Sequence, residues 1–240
     1  MKKSLILLAI GLFLFGLSST PALADAVIDF STGTAFIPTP PGPIGTVIYN
    51  GSGGPLVGDD LLVGDVLGKE TLLHQGHHLV GGSETGMGGF GDLSFQTGNL
   101  VSFLGGVYTF GPNSATDAIT IVGNVTDAGI TSDATLLSGS ILSGTFTPGS
   151  DSLSIVIAND TKNTTLLSYF GFPTDLKFTI AHGTIHTDDF SLATDGSFTS
   201  SDGFSVDIPN TPVPEPATML LLGSGLLGMG VYARRRFSKK

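Results

Sequence analysis

Residues 204–208 read FSVDI, and residues 153–157 read LSIVI. In the first stretch, three apolar side chains alternate with a serine and an aspartate. In the second stretch, Leu153, Ile155 and Ile157 occupy every other position, with serine among the residues opposite them. A period of two is typical of a β-strand that has one face in a hydrophobic core. Both stretches therefore predict half-buried strands.

Short apolar stretches of the same kind follow one another from about residue 92 to residue 208. Turn-forming dipeptides separate them, among them Gly98-Asn99, Pro148-Gly149 and Asp195-Gly196. Many short strands at short spacing predict an all-β fold, an antiparallel β-sandwich of jelly-roll or Ig-like type with Gly/Pro-rich loops. The further strand candidates are Leu100–Phe103, Val107–Phe110, Ile119–Val122, Ile141–Phe146, Phe178–Ile180 and Phe190–Leu192.

Two segments near the end of this region have similar sequences. Asp189–Leu192 reads DFSL and Gly203–Val206 reads GFSV. Because the turn signal at Gly196 lies between them, we interpret the two segments as the paired strands of one hairpin. No longer period repeats along the chain, so the sequence does not indicate a solenoid of stacked repeats.

The region before residue 92 gives weaker signals. Residues 38–58 are rich in proline and glycine and predict a loop or extended arm, with a short strand near Thr46–Tyr49. Residues 81–91 are glycine-rich and also predict a loop. Leu61–Leu73 is the best helix candidate, although two glycines weaken it.

The N-terminus has the three parts of a secretory signal peptide. Two lysines at positions 2 and 3 precede an apolar segment, Leu5–Leu17. Ala22 and Ala24 then give the small-x-small pattern of a cleavage site. We therefore expect residues 1–24 to be removed and the mature chain to begin at Asp25. A retained transmembrane anchor is the alternative, but the apolar segment is short for a span.

The C-terminus also has three parts. Residues 213–216 read VPEP, and Ala217–Ala233 follows as 17 residues without a charge. At about 1.5 Å per residue a helix of this length reaches roughly 25 Å, the lower limit for crossing a bilayer. Arg234, Arg235 and Arg236 lead a basic tail, residues 234–240, that holds this end in the cytoplasm by the positive-inside rule. A buried helix of a soluble domain is the alternative, and the three arginines argue against it.

This ordered signal resembles the PEP-CTERM sorting domain of exported proteins of Gram-negative bacteria, over residues 213–237. The resemblance implies recognition by an exosortase, a membrane-embedded, cysteine transpeptidase-like enzyme that cleaves near the motif. It assigns Pro214, Glu215 and Pro216 as recognition residues of a substrate. It also implies transient anchoring in the inner membrane, delivery to the cell surface or exterior, and an association with exopolysaccharide and biofilm.

The prolines of the motif fit this role. They fix the backbone and remove hydrogen-bond donors, so the segment before the apolar run is expected to be extended and outside any sheet. The organisation that follows has three parts: a signal peptide (1–24), an exported body (25–212) and a sorting signal (213–240). A proline-rich linker next to the membrane is the alternative interpretation.

Charge separates the body from the two ends. Of the ten basic residues only Lys69, Lys162 and Lys177 lie in the body, against 19 acidic residues, which gives a formal charge of −16. A body this acidic and without arginine is unsuited to binding nucleic acid or anionic lipid. It also lacks cysteine, so its stability depends on packing rather than disulfides.

Histidines and carboxylates offer two candidate metal sites. His74, His77 and His78 lie near the glycine-rich loop, and a strand would point His182 and His186 to one face, where Asp188 or Asp189 could help them to bind zinc. No zinc-site signature accompanies them, so surface or loop histidines are the simpler interpretation.

Calcium is the second possibility. Residues 159–163, Asp59-Asp60 and Asp188-Asp189 supply the oxygens that calcium prefers, but the spacing of a calcium loop is missing. Turn formation and solvated charge explain the same residues. We therefore predict no cofactor and no metal, with calcium as the alternative.

Catalytic motifs are not evident in the body. The chain has no cysteine, and the body contains no Gly-x-Ser-x-Gly motif of a serine hydrolase. We therefore predict a non-catalytic cell-surface or extracellular-matrix protein. The alternatives are a carbohydrate- or protein-binding adhesin module, assisted by calcium, and a secreted hydrolase that uses two of the carboxylates.

Overall fold

The computed structural model describes residues 27–32, 45–82, 89–150, 152–176, 178, 181–186, 190–200 and 205–210. The predicted signal peptide and the predicted sorting signal lie outside these residues. A compact unit comprises residues 26–213, which is nearly the predicted body.

The described part of the body is built from strands. One α-helix, α1 (Thr164–Phe170), lies among them. The strands are β1 (Val27–Ser31), β2 (Thr46–Tyr49), β3 (Pro55–Val63), β4 (Asp65–Lys69), β5 (Gly76–Leu79), β6 (Gly91–Leu104), β7 (Val107–Phe110), β8 (Ile119–Val125), β9 (Ile130–Thr147), β10 (Ser152–Lys162), β11 (Ala181–His186), β12 (Phe190–Leu192), β13 (Phe198–Ser200) and β14 (Ser205–Asn210).

All the paired strands are antiparallel, and their hydrogen bonds join them in one path. The order along this path is β12-β13-β2-β3-β6-β7-β9-β10-β11-β14-β1-β4-β5, with β8 between β6 and β9. The all-β antiparallel class is thereby confirmed. A division into the two packed sheets of a sandwich stays a prediction.

Alternation of apolar and polar residues positions the core as the sequence predicted. Leu153, Ile155 and Ile157 in β10 are fully buried, and Val206 and Ile208 in β14 are 1% exposed. The intervening residues of β14 are exposed. Burial of each such side chain contributes about 1.5–3 kcal/mol relative to an exposed position.

Aromatic rings fill the core between β2, β7, β9 and β13. Tyr49 lies 5.3 Å from Phe110 and 5.4 Å from Phe198, measured between ring centroids, and Phe146 lies 4.5 Å from Phe198. Tyr108 donates a hydrogen bond to the carbonyl of Gly196, which lies in the turn between β12 and β13. These contacts join strands that are far apart in sequence.

The predicted helix at Leu61–Leu73 is wrong. The segment forms the end of β3 and all of β4, with Gly64 between the two strands and residues 70–73 after them. A Cβ at Gly64 would lie 2.6 Å from the Thr32 carbonyl oxygen, and one at Gly68 would lie 2.5 Å from the Phe170 ring. Gly64 therefore allows close approach to the chain after β1, and Gly68 allows close approach of α1 to the sheet.

The predicted hairpin of residues 189–192 with residues 203–206 is also wrong. β12 pairs instead with β13, so that Phe190 lies opposite Ser200 and Leu192 opposite Phe198. The turn at Gly196 is in the predicted place, because a short two-stranded unit closes around it. β14 pairs with β1 and β11.

Candidate functional site

The predicted histidines are divided between two distant strands. His77 and His78 lie in β5, and His74 lies in the turn before it. His182 and His186 lie in β11, and β14, β1 and β4 separate that strand from β5. Asp188 and Asp189 lie outside the described residues. Within the described part of the chain, no group of three or more histidines and carboxylates is arranged to hold a metal ion.

His78 is the centre of a local network beside α1. Its Nδ1 lies 3.2 Å from Asp127 Oδ2 and 3.3 Å from the Tyr169 hydroxyl, and its Nε2 lies 3.2 Å from the His74 carbonyl oxygen. The His74 ring stacks on Tyr169 at 4.0 Å between centroids. Because both ring nitrogens of His78 are engaged, this histidine has a structural role in joining β5 to α1.

Residues 159–163, a candidate calcium ligand set, do not form the predicted turn: residues 159–162 end β10 and contain a buried ion pair. Lys162 Nζ donates to both carboxylate oxygens of Asp160, at 2.9 and 2.8 Å. The two side chains are 0% and 2% exposed, and the ammonium lies 3.8 Å from the centroid of the Phe178 ring. An ammonium therefore occupies the position in which a calcium ion would meet the carboxylate.

Asn163 belongs to the helix rather than to a metal site. Its side-chain oxygen accepts hydrogen bonds from the backbone N–H groups of Thr165 and Leu166, at 3.0 and 3.4 Å. This is the N-cap of α1, and it satisfies donors that a helix start leaves unpaired. The oxygen-rich composition that indicated calcium is explained by the cap and by the ion pair.

The Asp59-Asp60 pair lies where β3 changes register against β6. Asp59 accepts a hydrogen bond from the Ser94 hydroxyl at 3.2 Å. Asp60 has a φ of 55°, the left-handed backbone region that aspartate tolerates better than most residues. Both residues are exposed. Their exposure agrees with the interpretation as solvated charges, whereas the predicted turn is wrong, because both residues lie within β3 at its irregularity.

Sequence reasoning missed a carboxylate group on the outer face of the sheet. Asp29 in β1, Asp65 in β4 and Asp207 in β14 lie on three neighbouring strands. The residues are far apart in sequence, and only the strand register brings them together. The available signal was that Asp29 and Asp207 occupy polar positions of alternating strands, whereas β4, which Asp65 begins, does not alternate.

The two ends of the body leave it side by side. Ile28, near the start of β1, lies opposite Asn210, the last residue of β14. Paired residues of antiparallel strands have Cα atoms about 5 Å apart. β14 is held on both sides, by β1 and by β11, so the chain leaves the body from an interior strand of the sheet.

Comparison with known families identifies the segment that follows β14. Residues 212–236 match the family model of the PEP-CTERM protein-sorting motif. The match covers the VPEP motif, the apolar run and the arginines, and it confirms the resemblance predicted from the sequence. The motif indicates an exported protein that is anchored transiently and sorted by an exosortase.

Comparisons with curated proteins and with solved structures gave no match. Pro214, Glu215 and Pro216, the alanines at the predicted signal cleavage site and the three arginines all lie outside the described residues. Among the residues that the structure does describe, no helix has the length and apolar composition needed to cross a bilayer.

Proposed function

We propose that this chain is an exported, non-catalytic protein of the cell surface or extracellular matrix, which an exosortase processes at Pro214, Glu215 and Pro216. The observation that carries the proposal is the match of residues 212–236 to the sorting motif. The antiparallel body is the delivered part, packed as a β-sandwich, and residues 213–240 are a signal that is read and removed.

The position of the two ends of the body supports this proposal. Ile28 and Asn210 are paired, so the chain enters and leaves the body at the same place. In the precursor, the signal peptide and the Ala217–Ala233 span both have their basic ends in the cytoplasm. A body with adjacent ends can be held at both without any unfolding.

The distance along the chain also supports the proposal. Six residues, 211–216, separate the end of β14 from the predicted span. An extended chain of this length covers at most about 20 Å. The sorting motif is therefore held close to the membrane surface, where a membrane-embedded enzyme can reach it. The three prolines of this segment keep it extended for a protease-like groove.

The test combines Glu215→Ala with Pro216→Ala in the native host. We expect the variant to accumulate uncleaved in the membrane fraction, whereas the parent protein is shortened and released, as read by immunoblot. Glu84→Ala with Pro43→Ala makes the same two chemical changes outside the motif and should behave like the parent. Unchanged release of the motif variant would refute exosortase recognition.

Association with exopolysaccharide is the finer part of the proposal. The acidic body disfavours anionic partners, and the neutral hydroxyl groups of a polysaccharide avoid this repulsion. The mature protein is therefore expected to be recovered with the extracellular matrix fraction. A glycan array with and without calcium separates a matrix component from a binding module, since reproducible calcium-dependent binding of one glycan would favour the module.

A further inference from the structure

Three aspartates meet on the outer face of the sheet at the strands that begin and end the body. In the register, Asp29 and Ser31 lie on the same face of β1. Ser31 lies opposite Asp207 of β14 on one side and opposite Asp65 of β4 on the other. Asp29 is therefore the diagonal neighbour of two carboxylates, one on each adjacent strand.

These charges have little compensation within the described residues. Asp65 is 3% exposed, and the Oδ1 atoms of Asp65 and Asp29 are buried without a hydrogen-bond donor. His77 Nδ1 of β5 contacts Asp65 Oδ2, on the side away from Asp29. Lys69 of β4 lies opposite Val27 and is exposed. On β11, Thr184 lies opposite Asp207 and His186 opposite Ser205.

A carboxyl oxygen that is buried without a donor beside other carboxylates favours the protonated form. Asp29 Oδ1 is such an atom, with Asp207 and Asp65 on the two adjacent strands. Burial, followed by the charges of Asp207 and Asp65, raises the pKa of Asp29 from 3.8 to about 7, although a hydrogen bond from the Ile208 backbone opposes the rise.

We propose that Asp29 holds a proton in the folded body, and that loss of this proton, next to Asp207 and Asp65, loosens the pairing of β1 with β14. The external pH then controls how firmly the strand that leads into the sorting motif is held. This inference concerns the body and does not depend on which enzyme processes the tail.

The sign of the effect follows from proton binding. An unfolded aspartate has a pKa near 3.8 and the folded Asp29 a pKa of about 7. Between these values the folded state binds more protons than the unfolded state, so stability falls as pH rises. Most of the loss is expected between about pH 4 and pH 7, and above that range the penalty is fully present.

Thermal unfolding of the full chain in a mild detergent tests the proposal. The Tm of the parent is expected to be several degrees lower at pH 8 than at pH 5. Asp29→Asn keeps the shape and removes the charge, so most of this pH dependence should be lost. Asp59→Asn, which removes an exposed carboxylate, should leave it unchanged. A parent Tm that does not fall with pH would overturn the proposal, and so would equal pH dependence in Asp29→Asn.

Two further measurements keep the test decisive if Asp29→Asn does not fold. Infrared spectra of the parent at pH 6 should show a protonated carboxyl band that Asp207→Asn shifts or removes. Hydrogen-exchange protection of the β14 amides, corrected for intrinsic rates, should fall at pH 8 more than protection of β10. If calcium raises the Tm of the parent at pH 5 but not that of Asp29→Asn, the group is ionised there and binds a cation, and the proposed proton is refuted.

Discussion

The body buries charge in two places, and the two places differ in how the charge is compensated. Asp160 and Lys162 form an ion pair with side chains 2% and 0% exposed. Asp29 and Asp65 form a group of like charges with the exposed Asp207, and Asp29 and Asp65 each have a buried carboxylate oxygen without a donor. One site lies at the end of β10 and the other at the strands that hold the chain ends.

The difference shows what each kind of site requires. Burial lowers the pKa of Lys162 to about 8, although the charge of Asp160 opposes this shift. Each of the two buried charges is therefore compensated only while its partner is present. Loss of a charge from the acidic group should instead stabilise the body, because it relieves repulsion between the carboxylates. The two sites should therefore respond to the loss of a charge with opposite signs.

The largest expected effect comes from breaking the ion pair. Lys162→Met removes the ammonium that faces the buried Asp160 carboxyl, and removal of one partner from a buried pair typically costs about 3–5 kcal/mol of unfolding free energy. Urea unfolding at pH 7 measures it. Asp160→Leu combined with Lys162→Met removes both charges and should recover most of the loss. A single variant within about 0.5 kcal/mol of the parent would mean that water reaches the pair.

A smaller effect is expected at the helix cap beside the pair. Asn163→Ala removes the acceptor for the Thr165 and Leu166 N–H groups, at a cost of about 1 kcal/mol. Asn163→Ser retains a capping oxygen and should lose only a few tenths of this amount. Equal losses in the two variants would show that the bond from the Asn163 side chain to the Thr135 carbonyl matters more than the cap.

The smallest effect is expected at the edge of the acidic group. His77 contacts Asp65, but its side chain is 65% exposed, so its removal should cost about 0.5 kcal/mol at neutral pH. His77→Gln retains a donor and serves as the control. A loss above about 2 kcal/mol in His77→Ala, measured by urea unfolding, would mean that the histidine compensates the buried carboxylates strongly.

Strand prediction from the sequence succeeded where local patterns decide the structure. Thr46–Tyr49 and Val107–Phe110 are strands with the predicted bounds. The alternation at residues 205–208 gives a strand because a period of two exposes one face whatever the strand pairs with. The same reasoning gave a wrong prediction for Leu61–Leu73, because its glycines allow contacts with Thr32 and Phe170 that no local pattern records.

The pairing of strands was harder to predict from the sequence than the strands themselves. The resemblance between residues 189–192 and 203–206 indicated a hairpin, yet β12 pairs with β13 and β14 with β1. The choice of partner depends on the whole sheet, including strands more than 150 residues away. The turn predicted at residues 159–163 was wrong for the same kind of reason, because residues 159–162 end β10, where Lys162 contacts Asp160 beside the Phe178 ring.

The sequence by itself determined the sorting motif, the acidic charge of the body and the β class, because each depends on residues that are neighbours along the chain. Tertiary structure alone decided which charges meet. Strand register places residues 29, 65 and 207 on one face, and a carboxyl group's proton affinity depends on burial and on charges within a few ångströms. Distances of that kind are properties of the folded sheet.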